Sequence, residues 1–209
     1  MVTSFVELLE RRHGGELSAE AKTYITFASE GARRMQRLIR DLLDYSRVGN
    51  MTARLELTPL DDIVSIVRHT FAARIEETGA VIETGALPLV RADRAMLTQA
   101  LQNLVGNALK FRAEAPPRVF IDARLREGKW EVCVRDNGIG IAREHFERVF
   151  KVFQRLHGRA VHDGSGIGLS VAKRIVQHHG REIWLESKLG AGSTFFFTLP
   201  AQHDDISSL

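Results

Sequence analysis

The sequence of 209 residues lacks several features that mark particular classes of protein. Its single cysteine, Cys133, excludes a disulfide within the chain, and a lone thiol on an apolar strand is most often part of a core. No apolar run approaches the roughly 20 residues that span a bilayer, so no membrane segment is predicted. The first residues show no signal-peptide pattern, and we expect a cytoplasmic location.

Common nucleotide and metal motifs are also missing. There is no G-x-x-x-x-G-K-[ST] phosphate loop and no H-R-D or D-F-G motif of protein kinases. The eight histidines do not fall at the spacing of a zinc site. The net charge of +3 is modest and the arginines are spread along the chain, so nucleic-acid binding is not expected.

The first 48 residues predict an antiparallel helical hairpin. Apolar residues at helical spacing occupy residues 2–13, Gly14 and Gly15 end that helix, and Ser18 caps a second helix that runs to about Val48. The first helix is too short to cover the second, and an uncovered apolar stripe predicts an interface. We therefore expect a homodimer through the hairpin, with the uncovered stripe formed by Leu38, Ile39, Leu42, Leu43 and Tyr45.

The remaining chain predicts an α+β domain over residues 58–200, between a linker at 49–57 and a tail at 201–209. Thr58 caps a predicted helix that reaches about Thr78, with Pro59 at its first position, and Asp93 caps another that reaches about Arg112. Further helical segments are predicted at 143–150 and 166–179, and strands at 81–83, 89–91, 119–125, 130–136, 183–186 and 194–198. The expected fold is a two-layer α/β sandwich, with a mixed sheet and helices on one face, behind the hairpin.

Three polar residues on the predicted helix from Arg94 suggest a site for a charged ligand. Asn103, Asn107 and Lys110 fall at i, i+4 and i+7 and share one face. Two carboxamide oxygens one turn apart suit Mg²⁺, and a lysine a turn further on suits phosphate. A plain solvated helix face would show the same pattern.

Three glycine clusters follow along the chain. The first places Asp136 at the end of a strand, followed by Gly138 and Gly140, where a flat ligand could approach the backbone closely, although D-N-G is also a common turn. The second, residues 163–169, opens a helix, whose N-terminal amides suit phosphate; a flexible linker is the alternative. The third, residues 190–194, reads by default as a hairpin turn. The polar stretch from 154 to 165 predicts a mobile loop.

The order of these motifs resembles the ATP-binding domain of sensor histidine kinases, which has a Bergerat-type fold. The matching runs are residues 102–111 (N box), 136–140 (G1), 146–153 (F box), 164–168 (G2) and 190–194 (G3). The hairpin residues 33–39 and 41–47 resemble the dimerisation and histidine-phosphotransfer hairpin of phytochrome- and PAS-linked kinases. The resemblance implies ATP and Mg²⁺ as cofactors, a response-regulator receiver domain as partner, and an upstream sensor domain of PAS, GAF or phytochrome type.

The resemblance also implies a role for each matching residue. Asp136 would accept from the adenine amino group, Asn107 would hold Mg²⁺, and Asn103 and Lys110 would act at the phosphates as the catalytic residues. Arg155 or His157, in an ATP lid over 154–165, is a further candidate for a phosphate contact. The remaining implied nucleotide-binding residues are Gly138, Gly140, Phe150, Phe153, Gly164, Gly166, Gly168, Leu169 and Thr194.

One departure from the family pattern concerns the phosphoacceptor. The family carries its acceptor histidine in the first hairpin helix, in an H-E-[LIF] or H-D-L context, and residues 1–12 contain none; His13 lies at the wrong end, in the glycine turn. We therefore expect an ATP-binding kinase core that does not phosphorylate itself at the usual position. Two alternatives stay open: a non-catalytic docking module or pseudokinase, and an ATPase of the same superfamily. Asn103, at the position of a catalytic glutamate in hydrolysing relatives, favours transfer over hydrolysis.

Overall fold

The computed structural model describes residues 2–13, 15, 17–50, 53–154, 156 and 165–201. The chain divides into two compact units, residues 1–44 and 45–209. The first unit therefore ends before the predicted hairpin boundary at residue 48, inside the second helix.

The first unit is helical. Helix α1 spans Val2–His13, and helix α2 spans Ala19–Asn50 and continues into the second unit. Ser18 caps α2 as predicted, because its Oγ accepts a hydrogen bond from the Ala21 backbone N–H at 3.1 Å. Large apolar side chains of α2 within this unit are exposed: Tyr24, Phe27, Met35, Ile39, Leu42 and Leu43.

The second unit is an α+β sandwich. Its strands are β1 (Glu56–Pro59), β2 (Val81–Thr84), β3 (Leu89–Ala92), β4 (Arg118–Arg126), β5 (Lys129–Asp136), β6 (Ile183–Ser187) and β7 (Ser193–Pro200). Its helices are α3 (Leu60–Thr70), α4 (Ala72–Thr78), α5 (Arg94–Lys110) and α6 (Gly168–His178). Two short 3₁₀ turns, Arg143–His145 and Arg148–Phe150, fall in the segment predicted to be helical.

Five strands form a mixed sheet in the order β2-β4-β5-β7-β6. The β2–β4 pair is parallel and the other three pairs are antiparallel. Burial alternates along β4, β5 and β7, because one face of the sheet packs against the helices while the other faces outward. Residues of α3, α5 and α6 complete this core, and the predicted fold class is confirmed.

Two local predictions are wrong. Residues 56–59, split between the predicted linker and the start of a predicted helix, form strand β1, which pairs antiparallel with β3. Thr58 consequently does not cap a helix; its buried hydroxyl donates to the carbonyls of Glu56 and Ala92 at 3.3 and 3.4 Å. The predicted helix to Thr78 is broken at Phe71, where φ is −101° and ψ is 12°, so α3 and α4 are separate.

Helix α5 begins as predicted. Asp93 caps it through Oδ1, which accepts from the Met96 N–H at 3.0 Å. Helix α6 starts at Gly168, two residues after the predicted Gly166, which adopts a left-handed φ of 75°. In the parts of the chain that the structure describes, no helix is long and apolar enough to cross a membrane.

Candidate nucleotide-binding site

Asp136 is the last residue of β5, so its carboxylate lies at the end of the central strand of the sheet. Its Oδ1 atom accepts two hydrogen bonds, from the backbone N–H groups of Gly138 at 2.8 Å and Ser193 at 3.2 Å. Burial raises the pKa of Asp136 above its usual value, and the two backbone hydrogen bonds oppose this shift. Its Oδ2 atom makes no hydrogen bond with any residue that the structure describes, so it remains available to a ligand donor.

The loop after Asp136 packs against the C-terminal end of α5. The Ile139 N–H donates to the Phe111 carbonyl at 3.0 Å, and Phe111 is the C-cap residue of α5. A Cβ atom at Gly138 would collide with that same carbonyl oxygen. Glycine is therefore required at this position, since any side chain would push the loop away from the helix that carries Asn103, Asn107 and Lys110.

The same loop also interlocks with the turn between β6 and β7. The Gly190 N–H donates to the Ile139 carbonyl at 2.7 Å, and the Ile141 N–H donates to Ser187 Oγ at 2.8 Å. At Gly192, where φ is 87°, a Cβ atom would collide with the Asp136 carbonyl oxygen. The first and third glycine clusters thus form one rigid frame around Asp136.

The polar stripe of α5 faces the start of α6. The Asn103 Oδ1 atom lies 3.1 Å from the position that a Cβ atom at Gly168 would occupy, so an alanine there would crowd the carboxamide. Asn107 lies one turn further along α5 and is partly exposed. The Lys110 Nζ lies 4.4 Å from the centroid of the Phe111 ring. The structure therefore places Asn103 beside Gly168, with Asn107 and Lys110 further along the same helix.

The two phenylalanines of the predicted F box lie in different surroundings. Phe150 packs edge-on against Phe195 of β7, with 6.3 Å between ring centroids, and Lys173 Nζ lies 5.6 Å from its centroid. Phe153 is 56% exposed and adopts a left-handed φ of 62°. Only Phe150 is thus packed against the sheet that carries Asp136.

Part of the second glycine cluster can be located. The Ile167 N–H donates to Ser165 Oγ at 3.2 Å, and Leu169 packs against the core. Gly164, Arg155 and His157 lie outside the described residues, so their predicted roles stay predictions.

The third cluster places Ser193, and not Thr194, beside Asp136. Thr194 pairs with Arg135 and Glu186 across the sheet, and these three side chains share the opposite face of their strands. They line an open cleft of about 400 Å³, together with Asp136, Lys188, Ser193 and residues of the turn. Ser193 is the residue that the sequence prediction missed; the alternation of side chains along β7 could have separated it from Thr194.

The donor set was compared with what Mg²⁺ requires. Among the described residues, no group of three or more His, Cys, Asp or Glu side chains could hold a metal ion. Asn103 and Asn107 offer two neutral oxygen atoms, which is fewer than an octahedral ion needs. They fit an ion that takes its remaining ligands from phosphate oxygens and water, which is how Mg²⁺ is usually held beside a nucleotide.

Comparisons with known proteins agree with this geometry. Residues 92–203 match the family model described as histidine kinase-, DNA gyrase B-, and HSP90-like ATPase. The phytochrome-like protein Cph1 of Synechocystis is 43% identical over 199 residues, which cover 95% of this chain and 27% of Cph1. The histidine protein kinase DivJ of Caulobacter vibrioides is 32% identical over 95% of this chain and 34% of its own length. The structure of full-length ShkA in complex with AMPPNP has a TM-score of 0.70 and 30% identity, covering 95% of this chain and 42% of ShkA.

The chain belongs to the family of histidine kinase-, DNA gyrase B- and HSP90-like ATPases. Within that family its sequence and fold match the ATP-binding domain of sensor histidine kinases. It spans about a quarter of the length of Cph1 and about a third of that of DivJ.

Proposed function

We propose that this core transfers the γ-phosphate of ATP to a histidine of a kinase hairpin, for relay to an aspartate of a response-regulator receiver domain. The observation that carries the proposal is the position of Asn103, whose carboxamide faces the start of α6. A carboxamide does not take a proton from water, whereas a glutamate could act as the general base of an ATPase. Because the reaction consumes ATP, we place the core in the cytoplasm as part of this proposal.

We assign to each residue the role that the family resemblance implies. The Oδ2 atom of Asp136 would accept from the exocyclic amine of adenine. Gly138 and Gly140, predicted to leave room for the ring, instead let the loop pack against the carbonyls of Phe111 and Lys188, which would hold the carboxylate in place. Asn107 would hold Mg²⁺, which neutralises charge on the phosphates when it is bound. Asn103 and Lys110 would orient the phosphates for in-line transfer, because phosphoryl transfer depends mainly on positioning and charge neutralisation.

The second glycine cluster completes the proposed site. Gly164, Gly166 and Gly168 would wrap the phosphates at the start of α6, where backbone N–H groups lack helical partners. Leu169 and Phe150 would form an apolar wall, and Phe153 and Thr194 are retained as predicted contacts. The structure gives less support to these last two, since Phe153 is exposed and Thr194 lies on the other face of β7.

A labelling experiment separates this function from the two alternatives. The chain is incubated with γ-labelled ATP and Mg²⁺, together with a histidine-containing hairpin of a homologous kinase as acceptor. We expect acid-labile, base-stable label on the acceptor, which is the behaviour of phosphohistidine. Asp136→Asn serves as the impaired control, since it is expected to bind ATP only weakly.

Two other outcomes would contradict the proposal. Steady release of inorganic phosphate, at the same rate with and without the acceptor hairpin, would indicate an ATPase. ATP binding with neither transfer nor release, to several acceptors, would indicate a docking module or pseudokinase.

We also propose that the first unit forms a homodimer through α2. The support is the exposed apolar face of the helix, on which Ile39 is 60% exposed and Leu43, one turn later, is 52% exposed. Sedimentation equilibrium should give twice the monomer mass for the wild type and the monomer mass for Ile39→Glu. Arg40→Glu, on the next, polar position of the same helix, is the matched control and should remain dimeric. A monomeric wild type at micromolar concentration would contradict the proposal.

The similarity to Cph1 supports one more partner. We propose that a sensor domain of PAS, GAF or phytochrome type precedes the hairpin in the whole protein. The coding sequence immediately upstream of Met1 tests this proposal directly, and it would also reveal an H-D-L or H-E-L phosphoacceptor.

A further inference from the structure

The last turn of α2 belongs to the ATP-binding unit. The boundary between the two units falls between Asp44 and Tyr45, although α2 continues to Asn50. Val48 is only 4% exposed and is part of the core of the second unit, and Tyr45 packs against that core. The end of α2 is therefore held by the sheet-and-helix domain, which corrects the expectation that Tyr45 forms part of the uncovered stripe.

One side chain of α6 contacts this turn at two points. The guanidinium of Arg174 lies over the Tyr45 ring, with its central carbon 4.4 Å from the ring centroid. A cation over an aromatic face is attracted by the ring quadrupole. The same guanidinium fills the space that a Cβ atom at Gly49 would need. Arg174 thus contacts the ring of Tyr45 and, one helical turn later, lies against the backbone of Gly49.

This contact gives a structural reason for the glycine at position 49. Glycine is unfavourable in a helix because of its backbone entropy. Helix α2 also contains Gly31, which serves as a comparison because a Cβ atom there would meet nothing within 4 Å. At Gly49 the missing side chain is what allows the guanidinium to lie against the helix.

Helix α6 joins this contact to the nucleotide site. Its first residue, Gly168, lies beside Asn103, and Lys173 lies over Phe150. Arg174 is the next residue after Lys173 and is directed to α2 instead. A helix moves largely as a rigid element, so a displacement at Arg174 is carried to both of these contacts.

We propose that Tyr45, Gly49 and Arg174 form a latch through which the last turn of α2 positions α6 at the nucleotide site. Arg174 is a positioning residue in this proposal, because it acts through Gly168 and Lys173. This inference rests on the proposed function, because it takes ATP to be the ligand of the site that α6 helps to form. Coupling between two sites is reciprocal, so the nucleotide must stabilise the latch as much as the latch favours the nucleotide.

The test uses the 209-residue chain and four variants of it. Gly49→Ala inserts the Cβ that displaces the guanidinium, and Gly31→Ala is the matched control in open space on the same helix. Arg174→Met removes the charge and keeps an aliphatic stem, and the fourth variant combines Gly49→Ala with Arg174→Met. Calorimetry measures the affinity for MgATP, and amide hydrogen exchange reports on residues 45–50 with and without the nucleotide.

We expect Gly49→Ala and Arg174→Met each to weaken ATP binding by about 5-fold or more, the lower end of typical coupling between sites. The double variant should be no weaker than either single variant, because both remove the same contact. ATP should slow exchange at residues 45–50 in the wild type and in Gly31→Ala, but not in Gly49→Ala. A purely structural role would change the unfolding midpoint without making exchange in α2 depend on ATP.

Two outcomes would overturn the latch and can be told apart. In the first outcome, Gly49→Ala and Arg174→Met bind ATP as tightly as the wild type, and the exchange rates of residues 45–50 are the same with and without ATP. The latch is then wrong, while the assignment of the nucleotide site is unaffected. If the wild type itself fails to bind ATP, the proposed function fails and the role of the latch fails with it. Because Arg174→Met leaves the backbone of α2 unchanged, it still tests the latch if Gly49→Ala folds poorly.

Discussion

The Oδ1 atom of Asp136 accepts a hydrogen bond from the backbone N–H of Ser193 at 3.2 Å, across 57 residues of sequence. This bond joins the end of β5 to the start of β7, beside the turn that carries Gly192. The two carboxylate oxygens therefore have different roles. Oδ1 accepts hydrogen bonds from the backbone, and Oδ2 is available for a ligand. Because these bonds fix Oδ1, we expect Asp136 to be ordered before a nucleotide binds, which would reduce the entropy lost on binding.

This division predicts that Asp136→Asn keeps the fold. The Asn Oδ1 can accept the same two backbone hydrogen bonds. Burial raises the pKa of Asp136 above the usual 3.8, so stability contributed by its neutral form is lost as the pH rises through that raised value. At pH 7 the ionised carboxylate opposes folding, and the neutral amide does not. We expect Asp136→Asn without nucleotide to be at least as stable as the wild type at pH 7, measured by urea unfolding.

The advantage of Asp136→Asn should disappear well below pH 3.8, where the carboxyl is protonated in both the folded and unfolded states. Asp62→Asn is the surface control, since Asp62 is half exposed and lies 3.4 Å from Arg94. A variant at Asp136 that is much less stable than the wild type at pH 7 would show that the carboxylate itself is needed for the fold.

Two glycines of one turn give a second, paired prediction. Gly190 and Gly192 both have a left-handed φ, at 80° and 87°, but only at Gly192 would a Cβ collide with the Asp136 carbonyl. Gly190→Ala should lose about 1 kcal/mol of unfolding free energy from backbone strain. Gly192→Ala should lose about 1–3 kcal/mol more, the usual effect of overpacking. Equal losses in urea unfolding would contradict the interlocked frame.

His179 predicts how stability depends on pH. Its Nδ1 lies 2.8 Å from the Ile175 carbonyl, which can only accept, so Nδ1 carries the proton. Its Nε2 accepts from the Asp93 N–H at 3.0 Å, and Asp93 caps α5. Burial lowers the pKa of His179; the Ile175 carbonyl and Asp93 oppose the shift, and His178 adds to it.

Because the folded state holds His179 neutral, its contribution to stability is complete above the usual value of 6.5 and declines as the pH falls below it. The slope should reach up to about 1.4 kcal/mol per pH unit until the lowered folded pKa is passed. His179→Gln should flatten this part of the profile, measured by urea unfolding between pH 7.5 and 5. His69→Gln, at an exposed position of α3, should leave the profile as in the wild type. An unchanged slope in His179→Gln would refute the assignment.

Asn103 gives a prediction about charge at the phosphate end of the site. Asn103→Asp keeps the shape of the side chain and places a negative charge beside Gly168. It should weaken ATP binding by roughly 10-fold or more through repulsion of the phosphates, while adenosine binding changes little. Gln102→Glu is the control, since Gln102 points to Thr70 at 3.2 Å and not to α6. Equal losses for ATP and adenosine would place the phosphates elsewhere.

Much of the fold could be predicted because the signals are local. The stripe of α5, the caps at Ser18 and Asp93, and the alternation in β5 are all read over a few residues. Strand β1 was missed because four residues that include a proline show no clear alternation. Its strand character comes from pairing with β3, 30 to 36 residues away.

The site was predicted in part for the same reason. The motifs identified Asp136, Gly138 and the α5 residues, but not the bond from Ser193, which joins distant segments through the order of the sheet. The contact of Arg174 with Tyr45 and Gly49 was equally invisible, because it depends on how α6 packs against the end of α2.

The central claim, that Asp136 recognises adenine, is tested most directly by comparing ATP with inosine triphosphate in a calorimetric titration. Inosine carries a carbonyl in place of the exocyclic amine, so this position of the base cannot donate to Oδ2 of Asp136. The wild type should bind ATP about 10- to 100-fold more tightly, the worth of one hydrogen bond to a charged group. Asp136→Asn should lose this preference. Equal affinities in the wild type, or a preference that survives in Asp136→Asn, would contradict the account.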